Sequence, residues 1–234
     1  MKPILNSRTT DILRAAVAEF IRTGEPVGSE RLYQNYDFGI KPAMIRLELN
    51  DLADKGYLEQ PHHAAGRVPS DKGYAFFANE VLQAAESKIS DNLMRLFEER
   101  AWAAFLGEMS EDLGVLGIAA TGRGRTVHKG LLEYLIDNLE WNSREEIRSV
   151  IRDFEELDAR IDRFWQETGA ANFLRVFVGR ESPITDSSAL AVLAADYRLD
   201  GERIMLCAIG PKRMDYRKTT GVLKGLQSKR SNMK

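Results

Sequence analysis

Apolar residues recur at helical spacing in three segments near the N-terminus, and each segment has residues that start and stop a helix. Asn6 or Ser7 can cap the first helix, which Gly24 and Pro26 end. Ser29 starts a short second helix, and Pro42 starts a third that runs to about Lys55. The predicted inward-facing residues are Ile12, Leu13, Ala16, Val17, Phe20 and Ile21 in the first helix, Leu32, Tyr33 and Tyr36 in the second, and Ile45, Leu49, Leu52 and Ala53 in the third.

A predicted β-hairpin follows the third helix. Gly56 stops that helix, and two short β-prone runs then flank a loop between Pro61 and Gly66. Ser70 starts a further helix, so the order is three helices, a hairpin and a helix. This order is typical of a winged helix-turn-helix DNA-binding domain. The N-terminal part is therefore predicted to be α+β and to bind DNA.

The third helix is the predicted recognition helix, because its buried face fixes which residues point outward. Asn50 can bond adenine bidentately, and Arg46 can bind guanine or a phosphate. An ion pair of Arg46 with Glu48 or Asp51 is the alternative. The predicted outward and flanking residues of this helix are Lys41, Ala43, Met44, Arg46, Leu47 and Asn50.

Met44 and Leu47 are apolar residues on this outward face. Both could contact thymine methyl groups. An outward leucine is unusual on an exposed helix, so Leu47 could instead contact another protein surface. A wrong assignment of the buried face is the remaining explanation.

The wing supplies further candidate DNA contacts. His62, His63 and Arg67 lie among small residues that let the loop approach a duplex, and Lys72 lies in the first turn of the next helix. The paired histidines do not predict a metal site. The chain has only three histidines and one cysteine, and adjacent residues of a hairpin point to opposite faces. Lys72 is a candidate phosphate contact or a solvated surface lysine.

The remaining chain alternates between helical and strand patterns. Residues from Phe76 to about Met109 are predicted to form a connector helix, and residues 131–140 and 143–167 are also helical. Predicted strands cover residues 113–120, 173–178, 189–197 and 203–209. Gly122 to Arg125 form a turn, Asp200-Gly201 forms a hairpin turn, and Asp215 caps a last helix. The glycine-arginine turn lacks the spacing of a phosphate-binding loop.

Composition and charge narrow the function classes. Residues 1–76 carry ten basic and ten acidic residues, residues 77–211 carry 15 and 24, and residues 212–234 carry eight and one. A neutral N-terminal domain gives only weak support for DNA binding, because cations on the protein neutralise phosphates. The single cysteine, Cys207, is expected to be a buried apolar residue in a reducing compartment.

No signal-peptide core and no bilayer-length apolar run occur, so a cytoplasmic location is expected. No catalytic constellation, cofactor motif or metal-ligand pattern is present, so the protein is not expected to be an enzyme.

Three strings resemble the heat-inducible transcription repressor (HrcA) family: Ile21 to Ser29, Ile45 to His62, and Ala65 to Tyr74. The resemblance resumes at Val178 to Pro183, at Asp196-Tyr197 and at Ile209 to Tyr216. It implies a dimeric repressor that binds an inverted-repeat operator upstream of chaperone operons. It further implies a GAF-like C-terminal α/β domain and regulation by the GroEL chaperonin. A small effector in the GAF-like domain remains open, because a fold does not fix a function.

Two departures from the family pattern stand out. Members usually have small polar residues at the start of the recognition helix and a polar residue at the position of Leu47, whereas this helix begins Lys41-Pro-Ala-Met-Ile-Arg-Leu47. The chain is also shorter than typical members between about Arg100 and Ala171, where the family inserts a dimerisation subdomain. The expected organisation is a winged helix at 1–76, a connector at 77–109, a GAF-like domain with a shortened insert at 110–227 and a basic tail at 228–234.

The sequence supports two candidate functions. The first is a dimeric, nucleoid-associated repressor that binds double-stranded operator DNA near heat-shock genes. The second is a winged-helix module that no longer recognises an operator and binds protein partners through Met44 and Leu47. The neutral charge and the apolar outward face favour the second function. The intact wing string and the resemblance at both ends of the chain favour the first.

Overall fold

The computed structural model describes residues 5–62, 65–122, 126–141, 143–169 and 173–228. The chain divides into two compact units, and the boundary lies between Ala78 and Asn79. The predicted turn at residues 122–125 lies outside the described residues except for Gly122. His63 and residues 229–234 of the basic tail also lie outside them.

The N-terminal unit has the predicted order of helices and strands. Its elements are α1 (Ser7–Thr23), α2 (Ser29–Asn35), α3 (Pro42–Asp54), β1 (Leu58–Glu59), β2 (Val68–Pro69) and the start of α4 (Asp71–Ala84). The predicted residues at the helix ends are confirmed. The Asn6 side chain accepts from the Thr9 amide at 2.9 Å, and Gly24 ends α1 in the left-handed conformation at φ 73°. Ser70 Oγ accepts from the Gly73 amide at 3.1 Å at the start of α4.

The core of this unit confirms most of the predicted inward residues. Ile12, Leu13, Leu32, Ile45 and Leu52 are fully buried. The inward placement of Tyr33 is wrong, because this side chain is 50% exposed. Helix α2 has only seven residues, and Tyr33 lies about 100° around the axis from the buried Leu32. Ala53 is only partly buried.

The C-terminal unit is built on a five-stranded antiparallel sheet in the order β4-β3-β7-β6-β5. Helices and strands together make the chain α+β. The strands are β3 (Leu116–Thr121), β4 (Thr126–Lys129), β5 (Leu174–Val178), β6 (Leu190–Leu199) and β7 (Glu202–Pro211). The predicted Asp200-Gly201 turn joins β6 to β7, and both residues have positive φ, 51° and 81°. Such a two-residue turn fits the right-handed twist of a hairpin.

Helices cover both faces of this sheet, which explains why its central strands have no alternating pattern. On one face the core contains Ile118, Val192 and Cys207 together with Val150 and Phe164. The helices that supply this layer are α7 (Leu132–Asn138), α8 (Arg144–Glu155) and α9 (Leu157–Thr168). On the other face Tyr197 stacks edge-on with Phe97 at 5.7 Å. This layer comprises α5 (Asp91–Glu98), α6 (Trp102–Leu113) and α10 (Tyr216–Ser228). The predicted cap Asp215 accepts from the Lys218 amide at 2.9 Å.

Two predictions for this part of the chain are wrong, and one strand was not predicted. The connector from Phe76 to Met109 is not one helix but parts of α4, α5 and α6. The Ser90 side chain caps a new helix by accepting from the Leu93 amide, and Arg100 has φ 56° after α5. Both conformations interrupt the hydrogen-bond ladder of a helix. Leu113 ends α6 and does not start a strand, and β4 was not predicted.

Candidate nucleic-acid interface

Helix α3 presents an exposed face of mixed polar and apolar residues. Ile45, Leu49 and Leu52 are buried, which confirms the predicted orientation of the helix. Leu47 is 59% exposed and Met44 is 45% exposed, so the outward leucine is not a wrong face assignment. All six candidate residues on α3 or at its start are exposed: Lys41, Ala43, Met44, Arg46, Leu47 and Asn50.

A tight connection positions the start of α3. Asp37 Oδ1 accepts from the Gly39 amide at 2.9 Å, and Gly39 has φ 67°, a conformation that favours glycine. Pro42 then occupies the first turn, where its missing N–H costs nothing. The Asp37–Gly39 turn and Pro42 thus determine where the exposed first turn of α3 begins.

Arg46 has no ion-pair partner among the described residues. The two predicted partners are occupied elsewhere. Glu48 accepts from Thr9 Oγ1 at 2.7 Å and pairs with Arg8 at 3.3 Å, while Asp51 pairs with Lys55 at 2.6 Å. The structure therefore contradicts the ion-pair alternative for Arg46. Its guanidinium is available to an external acceptor.

The wing is anchored to the segment after α1. Strands β1 and β2 pair through Leu58–Pro69 and Glu59–Val68. Val27 and Arg67 exchange two backbone hydrogen bonds of 2.8 Å, which adds a bridge that the sequence did not predict. A Cβ atom at Gly66 would lie 2.6 Å from the Val27 carbonyl carbon, so only glycine fits this approach.

The side chain of Arg67 joins the wing to α3. Its Nη2 atom donates to Asn50 Oδ1 at 2.6 Å. Its Nε atom is buried and has no hydrogen-bond partner among the described residues. The Nη2 bond uses only the oxygen of the Asn50 amide. The amide nitrogen carries two N–H donors and has no hydrogen-bond partner among the described residues. Two residues that the sequence placed in separate elements therefore form one polar unit.

This polar unit lines an open cleft of about 450 Å³. Arg46 from α3 and Gln60 from the wing contribute to the same cleft. The cleft therefore brings together two guanidinium groups and two amides, which can donate to phosphate oxygens or to base edges.

The other wing candidates occupy different positions. His62 is exposed, and its carbonyl accepts from the Ala65 amide at 2.9 Å in the turn. Lys72 Nζ donates to the Lys55 carbonyl at 2.6 Å and lies 4.0 Å from the centre of the Tyr57 ring. Lys72 thus closes the C-terminus of α3 within its own unit. Among the described residues no group of three or more potential ligands could hold a metal ion.

A buried carboxylate that the sequence reading missed joins α1 to α2. Glu19 lies inside the helical stripe of α1 and is 2% exposed. It binds Arg22 at 2.5 Å, Asn35 at 2.9 Å and Arg31 at 3.4 Å. The hydrogen bond from Arg22 holds the pKa of Glu19 below its ordinary value, although burial opposes this shift. The sequence signal for this cluster was a glutamate in the apolar stripe of α1 with two arginines, Arg22 and Arg31, near enough to pair with it.

Two buried titratable side chains of the C-terminal unit have raised pKa values. Burial raises the pKa of the Cys207 thiol to about 12, which makes this cysteine a poor nucleophile. Asp196 is also buried, and burial raises its pKa although Arg203 binds it at 2.5 Å. Within the described ranges no helix has the length and apolar character needed to cross a membrane.

Comparison with known proteins identifies relatives for both sequence and fold. The family model described as "HrcA protein C terminal domain" matches residues 75–220, more than half of the chain. A heat-inducible transcription repressor HrcA from Desulforudis audaxviator is 39% identical over 112 residues, which are 48% of this chain and 33% of the relative. The protein of the same description from Caldanaerobacter subterraneus is 51% identical over 79 residues, 34% of this chain and 23% of the relative.

These alignments span a third or less of the relatives' own length. A solved structure matches over the whole length. The crystal structure of a hypothetical protein at 2.2 Å resolution covers 98% of both chains with a TM-score of 0.74 and 17% sequence identity. At this identity the match establishes a shared fold and carries no functional information.

Proposed function

The chain belongs to the HrcA family, and on that premise we propose that it is a transcriptional repressor that binds operator DNA through its N-terminal unit. The observation that carries the proposal is the polar cleft formed by Arg46, Asn50 and Arg67 beside an exposed helix face. Repressor function is what the relatives' descriptions state for those proteins. Double-stranded DNA upstream of heat-shock or chaperone genes is the proposed target.

We assign a winged helix-turn-helix domain to residues 1–76, with α3 as the recognition helix. A recognition helix lies in the major groove and directs its exposed N-terminal face to the base edges, while a wing contacts the backbone or minor groove. The exposed positions from Lys41 to Asn50 fit the first role, and His62 and Arg67 fit the second. His63, which lies outside the described residues, is proposed for the second role on its sequence position alone. The proposed remainder is a connecting segment at 77–109, made of the end of α4, α5 and most of α6, of which α5 and α6 cover the sheet, followed by a GAF-like domain with a shortened insert at 110–227 and a basic tail at 228–234.

The exposed side chains of α3 and their neighbours in the wing and α4 have different roles in this proposal. Arg46, which lacks an internal ion pair among the described residues, donates to guanine or to a phosphate oxygen. The amide of Asn50 contacts a base edge, and Arg67 holds the orientation of that amide. Met44 and Leu47 contact thymine methyl groups. Lys72 contributes long-range attraction, since its ammonium group binds the Lys55 carbonyl.

A homodimer follows from this assignment, because one winged helix recognises half of an inverted repeat. Large exposed apolar side chains on one stretch of the C-terminal unit supply a candidate surface for it. They are Leu131, Leu132, Ile136, Trp141, Ile147 and Ile151. On α8, Arg144 precedes the two isoleucines and Glu155 follows them, so two antiparallel copies of the helix would pair opposite charges. Regulation by the chaperonin GroEL completes the proposal, on the resemblance alone.

One observation favours a second candidate function. Leu47 and Met44 expose apolar surface at the centre of the proposed DNA-binding face, and such side chains also suit a protein partner. A winged-helix module that has lost operator recognition would keep the fold of this unit. It would not distinguish operator from random DNA.

The deciding experiment measures binding to labelled DNA from upstream of the chaperone genes, with a random duplex of equal length as control. We expect operator affinity to exceed random affinity by at least about 10³-fold at physiological salt. Arg46→Ala is expected to weaken operator binding by about 1–3 kcal/mol. Arg163→Ala is the matched control. Arg163 is an exposed residue of α9, and this change should alter neither affinity. Equal affinity for both duplexes would exclude the repressor proposal and leave the protein-binding module.

A further inference from the structure

A second cleft, in the C-terminal unit, concentrates arginine and serine side chains. It has a volume of about 660 Å³ and lies against the first turns of α8. Three arginines and four serines are among the residues that line it. The residues that matter are Arg148, Ser149, Arg152, Arg180, Ser187 and Ser188.

Three parts of the fold build this cleft. Arg148 and Arg152 lie one turn apart on α8, so they share a face of the helix. Arg180 lies in the 3-10 turn Gly179–Glu181 that follows β5. Ser187 and Ser188 belong to the loop that leads into β6. No single stretch of sequence contains the site.

Buried Asp153 fixes the walls of the cleft to each other. Its Oδ1 atom accepts from the Asp186 amide at 2.7 Å, and its Oδ2 atom accepts from the Ser187 amide at 2.9 Å. Asp153 is 1% exposed and lies next to Arg152 on α8. The serine loop is thereby held against the helix that carries the arginines. A preformed arrangement of this kind lowers the entropic cost of binding a ligand.

The three arginines lack the ion pairs that hold several other arginines of this unit. Arg160 pairs with Asp186 at 2.5 Å, Arg203 with Asp196 at 2.5 Å and Arg213 with Glu140 at 2.5 Å. Among the described residues, by contrast, none of the three cleft arginines has a carboxylate within salt-bridge distance. The hydrogen bond from Arg160 is the main cause of the lowered pKa of Asp186, and Arg152 adds a smaller contribution from a longer range.

This grouping of like charges has a physical consequence. Neighbouring cations repel one another, and the repulsion is relieved when an anion binds between them. Acidic residues predominate across residues 77–211, with 24 against 15 basic residues. Over the whole unit, residues 79–234, the balance is nearly even, with 23 basic and 25 acidic residues. Three arginines without an ion pair among the described residues nevertheless meet in one concavity, beside Glu145 and Glu146, and this grouping indicates an anion site.

We propose that this cleft binds a small phosphate monoester that carries hydroxyl groups. Guanidinium groups bind phosphate oxygens bidentately, and serine hydroxyls can complete the hydrogen bonds to the anion. Glu145 and Glu146 also line the cleft and can accept from ligand hydroxyls. Because these two carboxylates line the same cleft, the positive potential of the arginines is local, which suits a single phosphate group better than a continuous phosphate backbone.

The test is calorimetric titration of the full chain with ribose 5-phosphate, inorganic phosphate and ribose at constant ionic strength. Ribose 5-phosphate is expected to bind saturably with a Kd of about 1 mM or lower. Inorganic phosphate should bind more weakly at the same site and compete with the ester. Ribose alone should not bind.

Variants connect the binding to the cleft. Arg148→Gln and Arg180→Gln should each weaken ribose 5-phosphate binding by about tenfold, the ratio expected for one lost charged hydrogen bond. Arg163→Gln, an exposed α9 arginine outside the cleft, should leave the Kd unchanged. Thermal melting of each variant confirms the fold, since all three side chains are exposed. Absent saturation, equal binding of ribose, or unchanged affinity in both folded cleft variants would overturn the proposal.

Discussion

Arg67 Nη2 donates a 2.6 Å hydrogen bond to Asn50 Oδ1 and so connects the wing to α3 across 17 residues of sequence. The bond occupies one acceptor site on the amide that was predicted to contact adenine. The free N–H donors of Asn50 then favour base edges that present acceptors, such as guanine N7 and O6 or thymine O4. Orientation of a base-contacting amide by a wing arginine links the two halves of the proposed interface.

Asn50 and Arg67 are expected to act as a unit in operator binding. Asn50→Ala and Arg67→Ala should each weaken binding by about 1–3 kcal/mol. The double variant should lose less than the sum, with a coupling energy of about 0.5–3 kcal/mol, because either change breaks the same hydrogen bond. Fluorescence anisotropy with labelled operator gives all four affinities. Strict additivity would mean that the two side chains act independently on DNA.

Glu19 is expected to make the N-terminal unit sensitive to acid. Its pKa is lowered in the folded state, so its ionisation stabilises the fold at pH values above the ordinary pKa of 4.5. This contribution is lost as the pH falls below 4.5 toward the lowered pKa. Glu19→Gln should cost about 1–3 kcal/mol at pH 7, because charged hydrogen bonds to a buried carboxylate are weakened while Arg22 and Arg31 stay partly solvated.

Urea unfolding at pH 7 and at pH 3.5 tests this prediction. The difference between the parent chain and Glu19→Gln should shrink at the lower pH. Glu25→Gln is the control, since Glu25 is exposed and pairs only with Arg31 among the described residues. A Glu19 effect that stays constant across this pH range would contradict the assignment of the ionised state.

Gly73 is expected to tolerate no side chain. A Cβ atom there would lie 2.1 Å from the Tyr57 carbonyl oxygen, a backbone atom that cannot move aside without shifting the wing. Gly73→Ala should therefore destabilise the N-terminal unit by about 1–3 kcal/mol through overpacking. Gly107, inside α6, has open space around the same position, and Gly107→Ala should be neutral or stabilising. Thermal unfolding of the two variants measures the difference, and equal melting temperatures would show that the approach is looser than described.

The exposed apolar face of α8 is expected to stabilise a homodimer. Ile147 and Ile151 lie one turn apart, and Ile151 is 50% exposed. The double variant Ile147→Asp and Ile151→Asp should convert the dimer to a monomer at micromolar concentration, because a two-fold interface places both changes on each copy. Arg163→Asp on α9 introduces the same side chain away from this face and should leave the dimer intact. Light scattering gives the mass, and a monomeric parent chain would contradict the dimer itself.

The sequence by itself determined much of the local structure, because short-range steric and capping rules act within a few residues. Asn6, Gly24, Pro42 and Asp215 start or end helices where their patterns predicted, and Asp200-Gly201 forms the turn between β6 and β7. Burial of Ile45, Leu49 and Leu52 likewise follows from helical spacing alone. The resemblance to the HrcA family also rested on local strings, and the family match confirms it.

Tertiary structure decided which distant residues meet, and spacing carries no information on that. Separate elements are joined by the bond from Arg67 to Asn50, by the contacts of Arg8 and Thr9 with Glu48, and by those of Arg31 and Asn35 with Glu19. The breaks between α4, α5 and α6 were equally hidden, because a continuous apolar pattern fits one long helix as well as three short ones. Phe97 of α5 packs against Tyr197 of the sheet, a contact that the apolar spacing of the helix does not predict. Side-chain partners and helix breaks depend on the competition among all surfaces of the folded chain, which no local window of sequence contains.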